Sequence, residues 1–227
     1  MSTPKKSQKK ESKNLTAIYD CLLNHFGPQH WWPGETDFEV CIGAVLTQNT
    51  SWLNVEKAID NLKKASLLDF EKIHVMPEKK LAKFIKPSGY YNLKAKRLKA
   101  LLDFFASLDG GDWRTSLQKT KLPKIRETLL NVYGIGPETA DSILLYGAGR
   151  LTFVIDKYTL RFSERYGIFP VKTGYEPARA HFMDNLPGSV KLYNEYHALL
   201  VAHGKYHCKP KPACSECPLR KNCGYAA

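Results

Sequence analysis

Residues 122–145 read LPKIRETLLNVYGIGPETADSILL, and the fold is decided there. Apolar residues recur at three- and four-residue intervals on both sides of Tyr133-Gly134-Ile135-Gly136, a pattern of helix, tight turn and helix. Two glycines around one apolar residue can take positive φ and turn consecutive backbone N–H groups outward. The second helix starts at that turn, so its free amides and dipole point at the same place, a good seat for a phosphate. Ile135 is the expected buried plug. A G-x-G turn alone occurs in many helical bundles; the continuation Pro137-Glu138-Thr139-Ala140 sharpens it.

Outward from this stretch the same periodicity continues. Leu15, Ile18, Leu22 and Phe26 make an opening helix stopped by Gly27-Pro28. Phe38 to Leu46, Leu53 to Leu62 and Leu81 to Ile85 follow. A long helix with Ala95, Leu98, Leu102 and Phe105 is expected to end at Gly110-Gly111. Tyr158 to Tyr166, Ala178 to Leu186 and Lys191 to His203 complete the series. The one β-like run is Leu151 to Ile155. The expected class is all-α.

The 227 residues carry a net charge of +12, and 43% are hydrophobic, enough to bury a core and to exclude wholesale disorder. No apolar run reaches a membrane-spanning length, and the lysine-rich start has no apolar segment behind it. An intracellular, cytoplasmic protein with no membrane partner is expected. Residues 1–14 hold five lysines and one acid, Glu11, and read as a disordered basic tail. Basic ends on a nearly balanced body suit a polyanion, nucleic acid first.

Cys208, Cys214, Cys217 and Cys223 are spaced C-x5-C-x2-C-x5-C. Four thiolates on a short loop can ligate a zinc ion or a [4Fe–4S] cluster. Zinc ribbons pair two C-x2-C knuckles and this loop has one, so the spacing leans toward iron and sulfur.

Asp156 follows the apolar run Val154-Ile155 and precedes a helix. By itself it reads as an N-cap. Together, the turn of residues 134–140, Asp156 and the cysteine loop resemble the helix–hairpin–helix element, aspartate and cluster loop of the HhH-GPD superfamily of DNA glycosylases, over roughly Thr36 to Cys223. The resemblance implies a catalytic Asp156, DNA contacts from Gly134, Ile135, Gly136 and Thr139, and a [4Fe–4S] cluster on the four cysteines. The family's first cysteine gap is usually one residue longer. It also implies two helical domains with a DNA-binding cleft between them. One is a six-helix barrel over residues 36–147, with the hairpin at about 122–147; residues 15–35 and 148–227 form the cluster domain. Bifunctional members carry a lysine where Glu138 stands, and a carboxylate cannot form the Schiff base of strand cleavage.

Further stretches are similar to the type III 3-methyladenine branch: Trp31-Trp32-Pro33, residues 43–50 (GAVLTQNT), residues 87–92 (PSGYYN) and His203-Gly204-Lys205. That similarity implies a base pocket of Trp31, Trp32, Trp52 and Lys205, although the best-known enzyme of that branch lacks the cysteines. Gln48 and Asn49 lie where relatives fill the gap left by a flipped base, and Tyr90 where a second wedge enters. Lys94, Lys96, Arg97 and Lys99 read as a solvated helix face. The expectation is a monomeric, monofunctional glycosylase for alkylated purines in double-stranded DNA. Its alternatives are an endonuclease III-like glycosylase for mismatched thymine, uracil or oxidised pyrimidines, and a non-catalytic iron–sulfur DNA-binding module.

Overall fold

The computed structural model describes residues 4–108 and 112–226, with side chains from Leu15 onward. The expected tail of residues 1–14 and the Gly110-Gly111 stop therefore lie outside the fully described residues. Twelve α-helices, a few 3-10 turns and no strand occur among the described residues. None of these helices is long and apolar enough to cross a membrane. The chain divides into two compact units, Trp32–Arg150 and the pair Met1–Trp31 with Leu151–Ala227.

Trp32–Arg150 holds α2 (Asp37–Leu46), α3 (Trp52–Lys64), α4 (Phe70–Val75), α5 (Glu78–Phe84), α6 (Tyr91–Ser107), α7 (Trp113–Lys119), α8 (Leu122–Leu130) and α9 (Pro137–Ser142). Short polar side chains start several of them: Thr36 accepts the Glu39 N–H at 3.1 Å and Asp69 the Lys72 N–H at 3.1 Å. Apolar stripes from α2, α3, α5, α6, α8 and α9 meet in one core around Ile42, Leu62, Leu98, Leu129 and Ile143. Phe105 stacks on Trp113 with centroids 4.6 Å apart. After α9 the chain widens into a π-helical turn over Ile143–Gly147, and the Ala148 N–H donates to the Ile143 carbonyl at 3.0 Å.

The second unit packs α1 (Pro4–Phe26), α10 (Lys157–Tyr166), α11 (Tyr175–Asn185), α12 (Val190–Tyr206) and the cysteine loop. The buried Tyr196 hydroxyl donates to the Leu15 carbonyl at 2.9 Å, which fixes α1 on α12. Between α10 and α12 the approach is so close that a Cβ on Gly204 would lie 2.5 Å from Tyr158 Cδ1. The β-like reading of residues 151–155 is corrected here. Thr152 to Ile155 are buried without a partner strand, and Phe153 stacks on Phe182 at 4.4 Å. The run is apolar because it threads the core, and it leads straight into α10.

Candidate functional site

The hairpin has the geometry its glycines require. Gly134 takes φ +78°, and a Cβ there would overlap the Arg97 side chain. Gly136 faces open space, with nothing within 4 Å of where a Cβ would stand. Ile135 is buried beneath them as the plug. Pro137 opens α9, where its missing N–H costs nothing. Arg126 on α8 grips Asp141 on α9 through two 2.9 Å hydrogen bonds, and the carboxylate is wholly buried. This fork holds the two hairpin helices together.

Gln48 lies against the hairpin. Its amide donates to the Gly134 carbonyl at 3.0 Å and to Thr139 Oγ1 at 2.9 Å, while its Oε1 accepts from Arg97. Neighbouring Asn49 is exposed and left-handed, with φ +52°. Tyr90 is likewise left-handed, φ +45°, and 70% exposed. The expected solvated face of α6 is corrected: Lys94 is buried, and its ammonium donates to the Leu46 carbonyl at 2.8 Å and the Ser88 carbonyl at 2.6 Å. Burial, helped by the nearby Arg97 charge, pulls its pKa down to about 8. Arg97 and Lys99 also reach protein partners, leaving Lys96 exposed.

The four expected pocket residues fall into two groups. Trp32 and Trp52 meet edge to face, centroids 5.2 Å apart, and Tyr146 closes on Trp32 at 5.4 Å. Gly43 makes room for the Trp32 ring, to which a Cβ would come within 3.2 Å. Tyr146 has no mark in the sequence, since an aromatic residue at a helix end reads as core. In the other unit, the Lys205 ammonium sits 6.0 Å from the centre of the Trp31 ring.

Asp156 caps α10. Its Oδ1 accepts the Thr159 N–H at 2.7 Å and the Thr159 hydroxyl at 2.9 Å. Its Oδ2 faces His197 Nε2 on α12 at 3.8 Å. Both side chains are buried. Burial lowers the His197 pKa against the opposing pull of the Asp156 charge. His197 was missed by sequence reasoning, because a lone histidine in an apolar helix carries no signal.

Cys208, Cys214, Cys217 and Cys223 are free thiols lining one pocket. Four thiols on one pocket wall, with N–H donors behind them, are a donor set of the kind that an iron–sulfur cube takes. Arg165 Nη1 donates to Cys208 Sγ at 3.5 Å, and His203 Nε2 lies 3.2 Å from Cys217 Sγ. Burial first, then the charges of His207, His25 and Arg161, push the His203 pKa down to about 4. A neutral imidazole can donate to a thiolate.

Comparison with known proteins agrees with this geometry. The family model for the HhH-GPD superfamily base excision DNA repair protein matches residues 42–188, which contain the hairpin and Asp156. A Methanocaldococcus jannaschii protein named as a DNA repair glycosylase is 46% identical over 91% of this chain and 94% of its own length. Endonuclease III of Thermotoga maritima is 32% identical over 84% of each chain. The crystal structure of Helicobacter pylori 3-methyladenine DNA glycosylase bound to 1,N6-ethenoadenine superposes with a TM-score of 0.74 at 31% identity, covering 86% of this chain and 97% of that one. A trapped endonuclease III–DNA covalent intermediate shares the fold at a TM-score of 0.79 and 22% identity, over 95% of this chain and 96% of that one. The chain belongs to the HhH-GPD superfamily and is a DNA glycosylase of base excision repair.

Proposed function

We propose that this glycosylase removes alkylated purines from double-stranded DNA, as a monomer, by hydrolysis and without cutting the backbone. The observation that carries the lesion class is the aromatic group of Trp32, Trp52 and Tyr146. A purine methylated at N3 or N7 is a cation, and electron-rich rings attract it by about 0.5–2 kcal/mol each. Trp31 and Lys205, an ammonium over a ring within the other unit, are the remaining candidates for base recognition. The relative bound to ethenoadenine agrees with a purine pocket.

A positively charged base leaves readily, so protonation of the leaving group is not needed. Water adds to the anomeric carbon, the glycosidic electrons return to the base, and the water proton goes to solvent. Asp156 orients that water and opposes the positive charge growing on the sugar. Glu138 occupies the position from which a lysine would attack, so no Schiff base forms there. Gly134, Ile135, Gly136 and Thr139 seat a DNA phosphate, and Gln48, Asn49 and Tyr90 meet the duplex where the base leaves. Cys208, Cys214, Cys217 and Cys223 would hold a [4Fe–4S] cluster, which when bound supplies rigidity to the basic loop around it.

The test is excision from duplexes containing 3-methyladenine, 7-methylguanine, hypoxanthine, uracil or thymine glycol. The methylated purines should be released, leaving abasic sites cut only after added alkali, with no borohydride-trapped adduct. Release of uracil or thymine glycol instead would favour an endonuclease III-like specificity, for which the Thermotoga maritima relative is the argument. Strand cleavage with a trapped adduct would overturn the monofunctional reading and make Lys157 and Lys205 the suspects.

A further inference from the structure

Two cations that look like surface charge lie beneath three separate loops. Lys94 makes three connections at once. Its backbone N–H donates to the Tyr90 carbonyl at 2.9 Å, and its ammonium binds the carbonyls of Ser88 and Leu46. Leu46 is the last residue of α2, where the helix dipole leaves partial negative charge and an orphan carbonyl. A buried ammonium is costly unless its N–H groups are satisfied, so these acceptors are specific anchors. One turn later, Arg97 donates to Gln48 Oε1, which turns the Gln48 amide onto Gly134 and Thr139 of the hairpin. The aliphatic part of Arg97 fills the space that Gly134 leaves by lacking a Cβ. Between these anchors, Asn49 and Tyr90 take left-handed backbone conformations, which asparagine adopts readily but a tyrosine keeps only when its surroundings impose it.

We infer that Lys94 and Arg97 are positioning residues that tie the Gln48–Asn49 loop, the Gly89–Tyr90 turn and the hairpin into one pre-set surface for opening the duplex. The inference rests on the proposed DNA-facing role of those loops. The loop conformations, strained at Tyr90, are set before DNA arrives, so the two cations lower the barrier to base extrusion more than they strengthen binding to intact duplex.

The experiment uses the full chain and two duplexes, one with 7-methylguanine paired to cytosine and one with the same lesion opposite an abasic-site analogue. The second has no base pair to break. Arg97→Met should lower the single-turnover rate on the paired duplex about tenfold or more. On the unopposed lesion it should stay within about threefold of the parent, as should its affinity for undamaged DNA. Equal losses on both duplexes, in a variant with the parental melting temperature, would overturn the inference. Lys94→Met strips two buried carbonyls of their donor, so a misfolded variant there is uninformative and a double-mutant cycle takes its place. Arg97→Met with Gln48→Met should be no slower than the slower of the two single variants, because both cut the same connection; additive losses would overturn it. If the parent excises nothing, the same variants are compared by 2-aminopurine fluorescence beside a tetrahydrofuran site. Brightening by the parent and less by Arg97→Met would keep the positioning role while the excision reading failed. Equal brightening would end it.

Discussion

Asp156 caps a helix and is proposed to act in catalysis, and one substitution separates the two. Asparagine caps a helix as well as aspartate does, so Asp156→Asn should keep the Thr159 bonds and the melting temperature. Excision should nevertheless fall by about 10² or more in single-turnover kinetics, because the negative charge is gone. Affinity for DNA should hold or rise, read by fluorescence anisotropy. The neighbouring His197 gives a pH test. Burial lowers its pKa below the ordinary value of about 6.5 that it regains on unfolding. Below that pH the unfolded chain takes a proton the folded chain refuses, so this contribution is whole above about pH 6.5 and is lost as pH falls. His197→Gln cannot titrate. Its melting temperature should drop less than the parent's between about pH 7.5 and pH 5; parallel curves would exclude the effect. The Asp156 cap was legible in the sequence because the residue stands between an apolar run and a helix, whereas its proposed catalytic role came from the family resemblance alone. His197 was not, since only the packing of α12 on α10 brings it to the carboxylate.

Among the elements, the α8–α9 pair depends on the Arg126–Asp141 fork. Asp141→Ala leaves a guanidinium only 13% exposed opposite an emptied site. Breaking such a pair costs about 3 kcal/mol, or roughly 6–12 °C of melting temperature for the unit that contains it. Replacing both partners by apolar residues, Arg126→Met with Asp141→Leu, should recover most of that loss in calorimetry. A single variant that melts with the parent would show the fork to be dispensable. Most helices were legible because their apolar spacing is strong. Helices α4 and α7 have six and seven residues, too few for a period to register. Residues 151–155 misled because an apolar run buried on every side and a strand look alike in one dimension. The α6 cations misled for the opposite reason: a charged residue is normally at the surface, and only the fold reveals the carbonyls that receive Lys94.

For the molecule as a whole, the cysteine loop makes the sharpest material prediction. Protein purified anaerobically should be brown, with broad absorption at about 400 nm and about four irons per chain. Cys217→Ser should lose iron and bind duplex more weakly, as the lysines around the loop lose their fixed positions. A colourless chain with one zinc would replace the cluster with a ribbon. The spacing of the four cysteines led to the expectation of shared ligation, and their grouping around one pocket with Arg165 and His203 behind them is a property of the folded chain. The division of the chain has its own consequence during synthesis. Trp32–Arg150 is contiguous and can fold as soon as it leaves the ribosome, whereas α1 belongs with segments beyond Leu151. Its apolar stripe of Leu15, Ile18 and Leu22 must stay unpartnered until α12 is made. At typical elongation speeds that is a wait of roughly ten to thirty seconds. The nascent protein therefore spends that interval with a contiguous unit free to finish and an orphaned greasy helix ahead of it.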